Sequence, residues 1–407
     1  MCLHPHPAGE RGAAGPVFTV ADIFRAHGPA YDHAHALPPL VARVLRDVIT
    51  CRTAALGGHL DVCDHCGLEH PFYNSCRNRH CPTCQALRQA RWIEERKARI
   101  LPIHYFHVVF TLPDELRPVA LVNPKVVLDL LFDAASRTLL DLGRDPDRLG
   151  GTLGLTAVLH TWARDMGYHP HLHCIVTGGA LSADGSHWSP ARGRFLFPVT
   201  VMGALFRGKF LAGLDAAWRA KKLSLAGSAA DLDAPGAFEH LRDRLYRKRW
   251  VVFSKRPFGG PEQVIRYLGR YTHRVAISSG RLLDVTEDAI TFRTRGDGSV
   301  TLSPDEFIRR FLLHVLPPEF RKIRHYGILS PAGVRSLLPR ARVLLGQANT
   351  PAPSEPVPDD EPWEDLLERI VGPEARLCPA CKVGHLVHRG ALPPIREHLP
   401  PLPPDTS

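Results

Sequence analysis

The stretch MGYHPHLHCIVTGG, residues 166–179, places histidines at alternate positions immediately before an apolar run and a glycine pair. Successive side chains of a β-strand point to opposite faces, so an extended conformation puts His169, His171 and His173 on one face. A row of imidazoles on a sheet face can hold a metal ion. Alternating histidines also occur near the N-terminus, so the pattern alone is weak evidence for a metal site.

A second apolar run, LGLTAVLH, ends at His160, eleven residues before His171. If the two runs form adjacent antiparallel strands, His160 lies opposite His171 and His173. Three imidazoles would then converge on one ion and leave coordination positions open for a substrate. Imidazole by itself favours Zn, Mn, Fe or Ni over Mg. The alternative is that each histidine is simply a hydrogen-bonded structural residue.

The chain has 407 residues, of which 44% are hydrophobic, and a formal net charge of +10. This length allows two or three domains with a sizeable core. The positive charge predicts an anionic partner, most simply nucleic acid. No run approaches about eighteen apolar residues, and the N-terminus has no apolar secretory segment. We therefore expect a cytoplasmic, nucleoid-associated protein that does not enter a membrane, and cysteines that are thiols or metal ligands rather than disulfides.

Strand-like and helix-like segments alternate after residue 104, and tight turns separate several of the strands. This texture predicts an α+β fold with a largely antiparallel sheet flanked by helices, preceded by a helical and zinc-binding N-terminal module. The expected divisions are a disordered segment 1–16, a helical and zinc-binding DNA-binding domain 17–100, a catalytic domain 101–330, a helical extension 331–347, a Pro-rich linker 348–362, a C-terminal zinc knuckle 363–390 and a tail 391–407.

Two CxxC pairs separated by fourteen residues predict a zinc ribbon, in which each pair supplies two thiolates to one tetrahedral Zn²⁺. The predicted ligands are Cys63, Cys66, Cys81 and Cys84. Four more residues of suitable type would allow a second, cross-braced zinc: Cys51, His59, Cys76 and His80. The alternative is that Cys51 and Cys76 are small buried hydrophobic residues.

A C-terminal cysteine pair offers a third candidate. Its four potential ligands are Cys378, Cys381, His385 and His388, which fit either a small zinc knuckle or half of a degraded ribbon. Basic residues beside the first two pairs favour nucleic acid as the partner of the N-terminal module. The candidate DNA contacts there are Arg77, Arg79, Arg88 and Arg91, the last two on a basic amphipathic helix.

Tyr267 and Tyr271 lie four residues apart in GGPEQVIRYLGRYTHRVAIS, where Gly260-Pro261 suits a helix start. That spacing puts both tyrosines on one helical face. The stripe that they form with Val264 is equally typical of an ordinary core. The surrounding positive charge, which would suit a phosphate ligand, comes from Arg266, Arg270 and Arg274.

Taken together, these motifs resemble the transposases of the insertion-sequence-91 family, whose catalytic domain belongs to the HUH endonuclease superfamily. The matching stretches are SCRNRHCPTC, HVVFTLPDEL, HTWARDMGYHPHLHCIVTGG, YLGRYTHRVAIS and PDEFIRRFLLHVLPPEFRKIRHYG, within residues 45–327. The resemblance puts the His-hydrophobic-His element on His171 and His173, the additional metal ligand on His160, and the two-tyrosine motif on Tyr267 and Tyr271.

The resemblance implies a metal-dependent enzyme that uses Mg²⁺ or Mn²⁺ to cleave and rejoin single-stranded DNA through 5′-phosphotyrosine intermediates, in rolling-circle-like transposition. Tyrosine, with a pKa of about 10, is a weak nucleophile until a metal or a base activates it. The sequence contains no Walker A motif, and no nucleotide cofactor is expected. Two alternatives stay open: a replication initiator or relaxase with the same chemistry, and a non-catalytic zinc-containing DNA-binding regulator.

Overall fold

The computed structural model describes residues 18–191, 193, 195–255, 263–264, 267, 269, 275–347, 368–369 and 372–395. The predictions for 1–16 and 348–362 lie outside these residues. The α-helices are α1 Val20–Ala34, α2 Pro39–Thr50, α3 Ala86–Lys97, α4 Arg117–Val122, α5 Pro124–Arg144, α6 Val199–Arg219, α7 Ala237–Arg247, α8 Pro304–Leu312 and α9 Pro331–Leu344. Short 3₁₀ helices span Ala54–Leu56, Asp114–Leu116, Gly227–Asp233, Ser279–Arg281 and Pro373–Arg376.

Within the described residues, the β-strands form four sheets. They are β1 Gly58–Cys63, β2 Glu69–Tyr73, β3 Tyr105–Thr111, β4 Gly151–Thr152, β5 Gly154–Trp162, β6 Tyr168–Thr177, β7 Gly179–Ser182, β8 Trp188–Pro190, β9 Val252–Lys255, β10 Leu282–Val285, β11 Ile290–Arg293, β12 Ser299–Leu302, β13 Ile323–Gly327 and β14 Leu386–Leu392. The largest sheet has five strands in the order β13-β5-β6-β3-β9, and every neighbouring pair is antiparallel. The predicted α+β class is confirmed.

The chain divides into two compact units, of which the larger comprises residues 92–272 and 316–357 and contains the five-stranded sheet. One sheet face carries large apolar side chains and is covered by helices, as the edge-to-face contact of Phe110 on β3 with Phe206 on α6 shows, at 5.0 Å between ring centres. Helix α5 starts at Pro124 and buries an apolar stripe that includes Leu128, Leu131 and Leu139. The opposite sheet face carries the histidines.

The second unit comprises residues 1–91, 273–315 and 358–407. Helix α1 begins with a capping box between Thr19 and Asp22, and its Phe24 packs edge-to-face on Phe311 of α8 at 4.9 Å between ring centres. Strand β1 is central in a three-stranded sheet, between β14 and β2. Strands β10, β11 and β12 form a separate meander that leads into α8.

The observed units differ from the predicted domains in several respects. Residues 92–100, predicted in the N-terminal domain, and residues 331–347, predicted as a separate extension, belong to the larger unit. Residues 273–315, which the sequence analysis placed in the catalytic domain 101–330, cluster instead with the N-terminal and C-terminal segments. The reason is the burial of Phe307 and Phe311 in an apolar core that includes Phe24, a contact far apart in the sequence that local patterns do not reveal. Strand β14 also continues to Leu392, into the region predicted as a tail. None of the described helices combines the length and apolar character that a membrane span needs.

Candidate active site and metal centres

The five-stranded sheet brings three histidines together. Strands β5 and β6 are paired so that His160 lies opposite His171 and Val158 lies opposite His173. Each of the three imidazoles offers a ring nitrogen, and these nitrogens all lie within 4.8 Å of one another. His160 is 3% exposed. The group therefore has the donor type and the convergence that a divalent transition-metal ion requires.

The short connection between β5 and β6 fixes this register. Met166 is buried and has φ of +64°, in the left-handed region, and Asp165 accepts a hydrogen bond at Oδ1 from the Gly167 amide at 3.0 Å. The Ala163 amide donates to the Gly167 carbonyl and closes the turn. Because a shift of one residue would move every side chain to the other face, this turn places all three imidazoles on the same side of the sheet.

A backbone contact sets the orientation of His171. Its Nδ1 lies 2.7 Å from the carbonyl oxygen of His169, so Nδ1 carries the proton and the lone pair of Nε2 is available to a metal. His169 itself does not belong to the three-histidine group. Its side chain is directed to Asp114, with Nδ1 3.5 Å from the carboxylate.

The hydroxyl of Tyr267 lies against this group. It is 3.2 Å from His173 Nδ1 and 2.9 Å from His107 Nε2, and the two histidine nitrogens are 2.8 Å apart. His107 stands on β3, on the same sheet face. No role was predicted for His107, because a single histidine in YFHVVF belongs to no ligand-spacing motif. The only indication in the sequence was a polar residue in an otherwise apolar strand.

Burial keeps these imidazoles neutral. The pKa of His107 is lowered to about 4, mainly by burial and then by the nearby His171 and Lys255. Burial likewise lowers the pKa of His171 to about 4, and it lowers the pKa of His173 well below its usual value. Neutral imidazole is the form that accepts hydrogen bonds and binds metals. The site is therefore competent for either role at neutral pH.

Tyr271 and the nearby arginines Arg266, Arg270 and Arg274 lie outside the described residues. Among the other predicted DNA contacts, Arg77 and Arg88 are exposed, and Arg79 and Arg91 are half-buried. Burial lowers the pKa of Arg79.

Eight of the described cysteines form two groups of four, in a combination that was not predicted from the sequence. The first group is Cys51, Cys76, Cys81 and Cys84, and the second is Cys63, Cys66, Cys378 and Cys381. The assignment of Cys63 and Cys66 to one zinc with Cys81 and Cys84 is therefore wrong, and these two CxxC pairs belong to different groups. The alternative in which Cys51 and Cys76 are merely small hydrophobic residues is wrong too.

Sulfur–sulfur distances in both groups fit a tetrahedral ion. A tetrahedron with a Zn–S bond of about 2.3 Å has edges of about 3.8 Å. Cys76 and Cys84 are 3.8 Å apart, and the second group has distances of 3.7 Å from Cys63 to Cys381 and from Cys66 to Cys378. Four free thiols have no reason to adopt this spacing, so the geometry fits a structural Zn²⁺ in each group.

The predicted histidine ligands of the zinc sites lie elsewhere. His80 Nδ1 contacts Asn78 Oδ1 at 3.1 Å, and the His385 backbone amide donates to Asp64. His59 and His388 belong to a different group with Asp61, in which each imidazole is 3.6 Å from Asp61 Oδ1. The structure therefore contradicts the cross-braced zinc site with His59 and His80. It also contradicts the separate C-terminal knuckle with His385 and His388.

Comparison with known proteins identifies the family. The model for the "Transposase zinc-binding domain" matches residues 23–112, and the model described as "Putative transposase" matches residues 154–336. A curated relative from Sinorhizobium fredii, "Putative transposase y4qJ", is 46% identical over 375 residues, 90% of this chain and 94% of the relative. The chain belongs to the insertion-sequence-91 family of transposases.

A second relative of this transposase is the "Transposase for insertion sequence element IS801" of Pseudomonas savastanoi pv. phaseolicola. It is 28% identical over 321 residues, 75% of this chain and 74% of the relative. No solved structure matches the chain. Family membership makes the transposase an enzyme that cuts and transfers DNA strands, and the zinc-binding domain agrees with the two tetrahedral cysteine groups.

Proposed function

We propose that this transposase cleaves and rejoins single-stranded DNA through 5′-phosphotyrosine intermediates, with Tyr267 as a nucleophile. The observation that carries the proposal is the Tyr267 hydroxyl, 2.9 Å from His107 Nε2 and beside the three-histidine group. A nucleophile, a hydrogen-bond acceptor and a candidate metal site thus meet on one sheet face. A purely DNA-binding regulator would not need this arrangement.

The reaction is a transesterification. The Tyr267 oxygen attacks the scissile phosphorus, a tyrosyl–phosphate bond forms and the bond from phosphorus to the 3′ oxygen breaks. The released 3′ oxygen takes up a proton and becomes a 3′-OH, while the phenolic proton leaves through His107 or water. The phosphodiester energy is conserved for rejoining, so no nucleotide cofactor is needed. Rejoining is the same reaction with the 3′-OH as nucleophile.

His160, His171 and His173 would hold the catalytic ion in this proposal, Mn²⁺ more readily than Mg²⁺ because all three donors are imidazoles. When bound, a divalent ion polarises the phosphate and neutralises its developing charge. The protein's own contribution is positional: the β5–β6 turn fixes the donor nitrogens, and His107 holds the Tyr267 hydroxyl. Because the protein holds these groups in position before the reaction, they do not have to reach this arrangement by diffusion.

Tyr271 is the proposed second nucleophile, four residues further along. The spacing in the sequence favours one helix, in which a rise of about 1.5 Å per residue would separate the two tyrosines by roughly 6 Å along the axis, and they would act in turn on two DNA ends. The basic residues Arg77, Arg79, Arg88 and Arg91, together with Arg266, Arg270 and Arg274, are proposed to contact the DNA backbone. A cytoplasmic, nucleoid-associated location belongs to the same proposal.

The test is incubation of the full chain with Mn²⁺ and single-stranded DNA from the element's ends, followed by denaturing electrophoresis for a covalent adduct. Wild type should form the adduct, either single variant, Tyr267→Phe or Tyr271→Phe, should retain part of it, and the double variant should form none. His171→Ala and His173→Ala should also form none while remaining folded. An adduct formed by the double tyrosine variant would place the nucleophile elsewhere.

A further inference from the structure

A basic pocket lies beside the proposed active site on the same face of the five-stranded sheet. Its polar wall consists of Arg96 and Arg99, from the end of α3 and just beyond it, and His325 of β13. Trp92 forms one side, with the Arg96 guanidinium 5.5 Å from the centre of its ring. Apolar residues of the sheet, including Ile175, form the floor.

One apolar cluster connects the pocket with the active site. Val264, which lines the pocket, precedes Tyr267 by three residues, and both pack in one apolar cluster with Tyr105 and Trp92. Ile175 follows His173 by two residues on β6, a distance of about 6.8 Å along a strand. That separation is of the order of one nucleotide step in an extended DNA strand. A strand with its scissile phosphate at the histidines can therefore place a neighbouring phosphate in the pocket.

The two arginines of the pocket have few carboxylates and hydrogen-bond acceptors near them among the described residues. The Arg96 side chain is 17% exposed, and its nearest carboxylate among the described residues is Glu95, at the long distance of 3.9 Å. Arg96 Nε and Nη1 and Arg99 Nε are buried, and in the described part of the chain none of these nitrogens has a hydrogen-bond acceptor. Burial, and then the neighbouring Arg99, lowers the pKa of Arg96 to about 10.

Such an arrangement costs stability. Buried donors without acceptors and neighbouring like charges both destabilise a fold. A guanidinium presents planar pairs of donors that match a phosphate group. His325 adds no positive charge, because its pKa is lowered to about 3 by burial and by the two arginines. The pocket thus has the charge for a single anionic group.

We propose that Arg96 and Arg99 bind a backbone phosphate of the DNA strand, next to the scissile phosphate. This inference rests on the proposed function. It assigns to the pocket a positioning role, in which the strand is held on both sides of the bond that Tyr267 attacks. Two fixed points along a flexible strand align the scissile phosphate better than one.

The experiment measures the affinity of the full chain for a fluorescent single-stranded oligonucleotide as a function of salt, in a Tyr267→Phe/Tyr271→Phe background that prevents covalent capture. Each phosphate contact contributes about 0.7 to the slope of log affinity against log salt for single strands. The double variant Arg96→Met/Arg99→Met, which removes the one proposed phosphate contact, should reduce the slope by about 0.7 and weaken binding roughly fourfold near physiological salt. Its Tm should equal or exceed that of the parent, because an uncompensated buried charge is removed.

Arg219→Met, at an exposed arginine of α6, is the matched control and should change neither quantity. The variant Arg96→Lys/Arg99→Lys should keep the slope because it keeps both charges. An unchanged slope in the double methionine variant would overturn the inference. The proposed function is tested separately, by adduct formation with intact tyrosines, so either can fail without the other.

Discussion

At the scale of single residues, the candidate site depends on a histidine that motifs did not reveal. His107 Nε2 lies 2.9 Å from the Tyr267 hydroxyl, and the His107 ring stacks on that of His173 with 5.0 Å between centres. It therefore holds the proposed nucleophile beside the proposed metal ligands. An acceptor in this position aligns the phenol and gives its proton a route away from the reacting oxygen.

Replacement of His107 by phenylalanine keeps the size of the ring and removes the acceptor. We expect His107→Phe to lower the rate of adduct formation by about 100-fold, the lower range of general acid–base contributions, with the protein still folded. Single-turnover kinetics with single-stranded DNA measure the rate. His240→Phe, at an exposed position of α7, serves as the control. A wild-type rate in His107→Phe would remove His107 from the mechanism.

The buried His325 leads to a second prediction, about how the stability of the protein depends on pH. Its pKa is about 3 in the folded protein and about 6.5 when unfolded, so between these values the unfolded chain binds more protons. Stability is therefore lost mainly as pH falls below 6.5, by about 2 kcal/mol between pH 7 and 5 from this group. Urea unfolding at pH 7 and pH 5 should show a smaller loss in His325→Gln than in wild type. Equal losses would mean that His325 is not buried as described.

At the scale of elements, the pairing of β5 with β6 was predictable and the position of β13 was not. A short turn leaves neighbouring antiparallel strands few registers, and the apolar face selects one of them, so the meeting of His160 with His171 follows from local sequence. Strand β13 pairs with β5 from more than 160 residues away, with His325 opposite Thr156. No local pattern specifies such a partner, so the pocket beside the site was not visible in the sequence.

The end of β13 gives a prediction about backbone geometry. Gly327 has φ of +59°, and a Cβ there would overlap the carbonyl oxygen of Leu153. Gly327→Ala should therefore destabilise the protein by about 3 kcal/mol or more, from left-handed strain and the clash together. Gly208, inside helix α6, has open space around its Cα, and Gly208→Ala should stabilise by about 0.5–1 kcal/mol. Chemical denaturation measures both, and a neutral Gly327→Ala would contradict the described turn.

At the scale of the whole molecule, the cysteines show what spacing can and cannot determine. A CxxC motif fixes two ligands because the loop itself brings their sulfurs together, and all three such pairs do lie in tetrahedral groups. Which pair meets which depends on chain folding over long distances. Cys63 and Cys381 are separated by 318 positions, and their contact depends on the pairing of β14 with β1. The short sequence separation of the first two CxxC pairs favoured a single zinc ribbon. The long-range pairing of β14 with β1 instead places Cys63 and Cys66 with the C-terminal pair.

This grouping predicts how zinc is lost. Cys63→Ala and Cys378→Ala should each remove the same zinc equivalent, so the double variant should lose no more than either single one. Cys63→Ala combined with Cys81→Ala should remove two. Atomic emission spectrometry on purified full-length protein measures zinc per chain, and Cys174→Ala, a buried cysteine outside both groups, is the control. Each lost zinc should also lower Tm sharply, because a structural zinc contributes on the order of 10 kcal/mol to the folding of its module. If Cys378→Ala kept its full zinc content while Cys63→Ala and Cys81→Ala lost a shared equivalent, the ribbon expected from sequence spacing would be right and the pairing of the two terminal segments wrong.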